Sequence, residues 1–110
     1  MSLSYMMCKV VNIRKEQYDV YIGRHMDPVK GKWGNPYSSK DGTLAEFKVS
    51  SKKEAIDMYE KHLLSSVELM KQLHTLKYKR LGCFCKPKSC HGDVIKKYVD
   101  RLEQLDRALF

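Results

Sequence analysis

No stretch of this chain is long and apolar enough to cross a membrane as a helix. Its N-terminus also lacks the basic-then-apolar order of a secretory signal. Both absences make a cytoplasmic location the expectation. There is no internal repeat, low-complexity tract or linker, so residues 1–110 are expected to form one domain with one modest core. Glycine-rich phosphate fingerprints, Cys-x-x-Cys pairs, phosphatase-type loops ending in arginine, recognition helices and RNA-binding sheet motifs are all missing, which removes the usual signatures of nucleotide, redox and nucleic-acid sites. Acidic residues are few, 13 against 21 lysines and arginines, for a formal charge of +8. Such a balance favours anionic partners without separating nucleic acid from nucleotides or plain solubility. Four cysteines in a reducing compartment argue against a disulfide framework.

What is present is ordinary in bulk, 43% apolar and 31% charged, and unusual in three places. Tyr5 to Ile13 reads as a strand, Arg14 to Gln17 as a polar turn and Tyr18 to Ile22 as a second strand, which together suggest a hairpin. From Gly23 to Gly42 the chain carries four glycines, two prolines and the sole tryptophan. An irregular loop this long tends to be functional, and Trp33 and Tyr37 are costly to leave in water, so an ordered, ligand-facing loop is expected. Ser51-Lys52-Lys53-Glu54 is a capping box before the apolar positions Ala55, Ile56, Tyr59 and Leu63. A shorter helix follows, with Val67, Met70, Leu73 and Leu76 as its apolar stripe. Tyr78 to Cys85 reads as a third strand. Val94, Ile95, Tyr98, Val99, Leu102, Leu105 and Leu109 then mark one face of a last helix. The expectation is an α/β domain in the order β-β-α-α-β-α, a small sheet covered by helices.

Val11-Asn12-Ile13-Arg14, Tyr21-Ile22-Gly23-Arg24, Trp33-Gly34-Asn35-Pro36-Tyr37, and Cys83-Phe84-Cys85-Lys86-Pro87 followed by Cys90-His91-Gly92-Asp93 stand in a characteristic order. With these motifs the chain resembles the domain of unknown function 4326 family, small domains of phages, other viruses, bacteria and some eukaryotes. The resemblance runs from about Val11 to Tyr98. It implies a relationship and no settled activity. Phe84 and Tyr37 depart mildly from the tryptophan and phenylalanine common in that family.

The turn Cys83–Asp93, between a strand and the last helix, is where α/β proteins hold ligands. One reading is a site for an anionic, nucleotide-like small molecule. Ser89 would cap the helix, Gly92 would let the ligand approach the backbone, and Lys86 would add charge. Asn12, Arg14, Gly23 and Arg24 at the first strand ends, with Trp33, Gly34, Asn35 and Pro36 in the loop, would complete it, Trp33 or Tyr37 stacking on a base. A second reading is zinc on Cys83, Cys85, Cys90 and His91, whose spacing of one residue and of none is awkward for a tetrahedral site, so no cofactor is the primary expectation. A third makes Cys90 a nucleophile, with His91 or His25 as base and Asp93 orienting an imidazole. The fourth is a nucleic-acid- or protein-binding module using Lys77, Lys79, Arg80, Lys86 and Lys88 around Tyr78.

Overall fold

The computed structural model describes residues 7–109. In chain order these form β1 (Lys9–Asn12), β2 (Val20–Tyr21), β3 (Tyr37–Ser38), β4 (Phe47–Lys48), α1 (Lys52–Ser65), α2 (Val67–Gln72), a 3-10 turn (Leu73–Leu76), β5 (Arg80–Cys83) and α3 (His91–Leu109). The α/β class and the β-β-α-α-β-α order are as expected, and the long loop adds the short parallel pair β3–β4. Of the expected first strand, Tyr5 and Met6 lie outside the described residues.

The main sheet runs β1-β5-β2, with both outer strands parallel to β5. The hairpin expected between the first two strands is therefore corrected. Leu81 stands opposite Val10 on one side and opposite Val20 on the other. The polar stretch after β1 does not reverse the chain into its neighbour. The Lys15 and Glu16 amides turn back to the Asn12 carbonyl, and Asp19 re-enters beside Arg80 in the direction of β1. β5 is the strand suited to the centre, because Leu81, Gly82 and Cys83 are all buried, as a strand covered on both faces requires.

Helix starts follow the sequence closely. Ser51 Oγ accepts the Glu54 amide at 3.1 Å, while Glu54 returns to the Ser50 amide at 3.2 Å, so the capping box closes one residue early. Ser66 caps α2 by accepting the Leu69 amide at 3.2 Å. α1 buries Ala55, Tyr59 and Leu63 as expected. On α2 the apolar stripe is shifted: Leu69, Leu73 and Leu76 are buried, whereas Val67 is 66% exposed. Leucines at i, i+4 and i+7 outcompete a stripe that starts on Val67 and Met70.

α3 buries Val94, Ile95 and Val99 but leaves Leu105 and Leu109 exposed. Its buried face ends at Glu103, a carboxylate with no exposed surface. Glu103 Oε2 accepts the backbone N–H of Cys8 at 2.9 Å and of Tyr78 at 2.8 Å. One helix residue thus ties down the chain just before β1 and just before β5. Cys8 belongs to this core, and burial pushes its thiol up to about 12. The centre of the molecule is Ile22, Trp33, Tyr59, Leu63, Leu81 and Ile95, all essentially inaccessible. Full burial of side chains of this size contributes roughly 1.5–3 kcal/mol each.

Candidate functional site

A cavity of about 320 Å³ opens at the carboxyl ends of β2 and β5, a volume suited to a small ligand. Its wall includes Gly23 and Arg24 after β2, Asn35 of the long loop, and Cys83, Cys85, Cys90 and His91 of the cysteine turn. Three separated sequence motifs therefore share one concave surface. The first turns of α1 and α3 both reach it, through Lys52 and Ala55 and through His91. The sequence reasoning missed the basic rim. Lys40 and Lys52 line the cavity with Arg24, and among the described residues no aspartate or glutamate does. The sequence signal for Lys52 was its place directly after the Ser51 cap, at a helix end that here faces the cavity.

Several expected ligand contacts prove to be the scaffolding of that wall. Arg24 reaches sideways, donating from Nε to the Asn35 carbonyl at 2.6 Å and from Nη2 to the Tyr37 carbonyl at 2.8 Å. Asn35 donates to the Ala55 carbonyl at 2.9 Å and accepts the Tyr37 amide at 3.0 Å, fixing the loop to α1. Gly34 is pressed so close that a Cβ there would lie 2.8 Å from the Gly23 carbonyl oxygen. Pro36 accepts the Phe47 amide and starts the β3–β4 ladder. Asn12 sits behind the cysteine turn, donating to the Lys86 carbonyl at 2.8 Å.

Other expected residues do not face the cavity, and the reasons are physical. Trp33 is 2% exposed and is core, with its carbonyl accepting the Tyr59 hydroxyl at 2.8 Å, so it offers no face to a base. Tyr37 and Phe84 remain on the wall. Arg14 lies outside, its guanidinium 5.4 Å from the Phe84 ring centre. His25 is exposed and accepts the Asp27 amide at 2.9 Å, away from the cavity. Gly92 faces inward, where a Cβ would lie 2.8 Å from Ile22 Cδ1, so its small size serves helix-to-sheet packing rather than ligand approach. Ser89 is exposed and precedes the cap position. Cys90 takes that place, its amide donating to Asp93 Oδ2 at 3.1 Å. Asp93 also pairs with Lys86, so neither of these two is aimed at a ligand or at an imidazole.

The titrating groups separate sharply. His91 is buried, packed edge-on to Tyr59, and its Nε2 lies 2.6 Å from the Ile22 carbonyl. Burial, aided by the Arg24 charge, holds its pKa down to about 4, so the ring is neutral and Nε2–H donates to that carbonyl. Nε2 is committed to that carbonyl, so only Nδ1 could accept a proton, and a pKa near 4 makes it a weak base. Cys83 and Cys90 have sulfurs 3.5 Å apart, and Cys90 is 3% exposed. Either sulfur of this pair can donate its single S–H, and hydrogen bonding with Cys83 and Cys85, together with burial, pushes the Cys90 pKa up. The expected nucleophile is therefore the group that keeps its proton. Cys83 and Cys85 both move the other way, each down to about 6, through hydrogen bonding with Cys90, and at Cys85 the Lys52 and Arg24 charges add to it. Sequence position alone pointed to the cysteine at the helix start and overlooked the one on the open wall.

Among the described residues, no group of three or more His, Cys, Asp and Glu side chains has the arrangement to hold a metal ion. The four-residue zinc set does not converge, because His91 turns to Ile22. The basic stretch is also less available than its sequence suggests. Lys77 pairs with Asp106 at 2.7 Å, Arg80 with Asp19 at 3.0 Å, and Lys86 with Asp93, which leaves Lys79 and Lys88 without a carboxylate partner among the described residues. No helix among the described residues is long and apolar enough to cross a membrane.

The chain is similar to an uncharacterized 12.4 kDa protein in the nrdA-td intergenic region of Enterobacteria phage T4. The two are 39% identical over 100 residues, covering 87% of this chain and 81% of that protein. No solved structure matches. The family described as a domain of unknown function, DUF4326, matches residues 7–101, which takes in every element but the end of α3, and the chain belongs to that family.

Proposed function

We propose that the cavity binds an anionic, nucleotide-like small molecule, a planar group carrying phosphate or carboxylate. The observation that carries this reading is the charge of the wall: Arg24, Lys40 and Lys52 line it and no carboxylate does. None of the three has an ion-pair partner among the described residues. Arg24 is half-buried, and burial works against its charge. Two of its five N–H groups serve the loop, and the rest are available for an anion, which would offset the desolvation. The amino ends of α1 and α3 add their positive ends to the same space. Tyr21, Tyr37 and Phe84 supply aromatic surface for a flat ring. The partly neutralised basic stretch favours a small ligand over a nucleic-acid surface.

Thermal unfolding against a panel of nucleotides, sugar phosphates, nucleosides and nucleobases, with and without a chelator, tests the reading. The midpoint is expected to rise with phosphate-bearing members only and to be indifferent to chelator. A ligand at one hundred times its dissociation constant adds about 2.7 kcal/mol to the folded state. Lys52→Ala should remove most of that gain. No rise with any anion, or an equal rise in Lys52→Ala, contradicts the proposal.

A further inference from the structure

The three thiols of the cysteine turn are more than core filling. Cys83, Cys85 and Cys90 all border the cavity, and all are free. Cys83 and Cys90 are buried at 1% and 3% exposure, while Cys85 is only half-buried. One sulfur is thus open to a ligand with two more behind it, those of Cys83 and Cys90, 3.5 Å apart. Lys52 and Arg24 stand close enough to Cys85 to favour its thiolate, and the same cations would hold a carboxylate-bearing ligand. An accessible attacking thiol backed by a buried, protonated partner is the arrangement that thiol–disulfide exchange requires.

We infer that Cys85 and Cys90 form an exchange pair acting on an anionic low-molecular-weight disulfide bound in the cavity. The Cys85 thiolate attacks one sulfur of the ligand disulfide. The ligand S–S bond breaks, a Cys85–ligand disulfide forms, and one ligand thiolate leaves. Cys90 then has no thiolate at Cys85 to bond to. Its sulfur attacks the Cys85 sulfur, its proton passes to the departing ligand sulfur, and a Cys85–Cys90 disulfide results. In sum, one ligand disulfide and two protein thiols become two ligand thiols and one protein disulfide, with two electrons moved from protein to ligand. Cys83 acts as a positioning residue, holding the Cys90 sulfur from the far side. The substrate class rests on the proposed anionic cavity; the exchange chemistry does not.

The test uses the whole reduced chain and the dianionic probe 5,5′-dithiobis(2-nitrobenzoic acid). Native protein is expected to release two equivalents of coloured thiol quickly and to end with an internal disulfide and no adduct in its mass spectrum. Cys90→Ser should release one equivalent and retain the adduct. Cys85→Ser should slow the first release by about tenfold or more, and Cys83→Ser should still give two equivalents. The rate should follow a titration near pH 6, where the Cys85 thiol is placed. Far-ultraviolet circular dichroism of each variant identifies any that fails to fold. For those, iodoacetamide labelling and peptide mapping of native protein give the same answer, with Cys85 expected to label first. Native protein that stops at one equivalent with the adduct retained, or a folded Cys85→Ser variant that reacts at the native rate, overturns the exchange pair. Neutral 4,4′-dithiodipyridine separates the two ideas. Rates that match the dianion's, each scaled to a free thiol, while two equivalents are still released, overturn the anionic substrate class and leave the exchange pair standing.

Discussion

At His91, burial converts a residue that titrates near neutrality into a fixed hydrogen-bond donor. Its pKa falls from the ordinary 6.5 to about 4, chiefly through burial. The sign of the consequence follows from linkage. Above pH 6.5 the ring is neutral in both folded and unfolded chains, and its contribution to stability is complete. As pH drops from 6.5 towards 4 the unfolded chain takes up the proton first, so stability is lost across that window, by at most about 3 kcal/mol. Urea unfolding from pH 7 to pH 4.5 is expected to show this loss in the native protein and a shallower one in His91→Gln. Equal slopes would contradict the buried neutral imidazole. A sequence cannot signal this, because Cys90-His91 at a strand-to-helix turn looks the same whether the imidazole faces a ligand or the Ile22 carbonyl. The same ambiguity explains Cys90 and Cys85. Position at a helix start drew attention to Cys90, and only packing reveals that its sulfur is buried against Cys83 while Cys85 is half-exposed on the wall. Trp33 is a third instance: its cost in water correctly implied an ordered loop, but that cost is met by burial in the core.

At the level of elements, the glycines of the long loop were legible only as marks of an irregular segment, and Gly34 shows what one of them is for. It allows the loop to lie directly on Gly23 and Arg24, which brings the Asn35 carbonyl to the Arg24 guanidinium. Gly34→Ala would force the Cβ against the Gly23 carbonyl oxygen and push the two segments apart. The expected cost is about 1–3 kcal/mol of stability, measured by denaturant unfolding, together with weaker ligand binding. A variant as stable as the native protein would mean that the close approach is not required. Helix starts at Ser51 and Ser66 were readable because caps are local chemistry. Strand pairing was not. Adjacent strands with a short polar connection suggest a hairpin, yet β5, the most buried strand of this sheet, takes the centre and separates β1 from β2. The competition for the buried place is settled across the chain and leaves no trace in the connection. Glu103 was missed for a related reason, since its role depends on two distant amides at Cys8 and Tyr78.

For the molecule as a whole, the charge of +8 favours anionic partners without locating them. Eight cations of the described residues form ion pairs with carboxylates. Among those that do not, Arg24, Lys40 and Lys52 meet around one cavity with no carboxylate of the described residues on its wall. The proposed binding site is therefore the cavity at one end of the sheet, where three motifs converge, rather than the basic stretch before β5. Backbone amide chemical-shift mapping during titration with a nucleoside monophosphate examines that claim most directly. The expected changes concentrate at Gly23–Arg24, Asn35–Lys40, Lys52 and Cys83–His91, with little at Lys77 and Lys79. Changes centred on Lys77, Lys79 and Lys88, or spread evenly over the lysine-bearing surface, would contradict the cavity as the binding site.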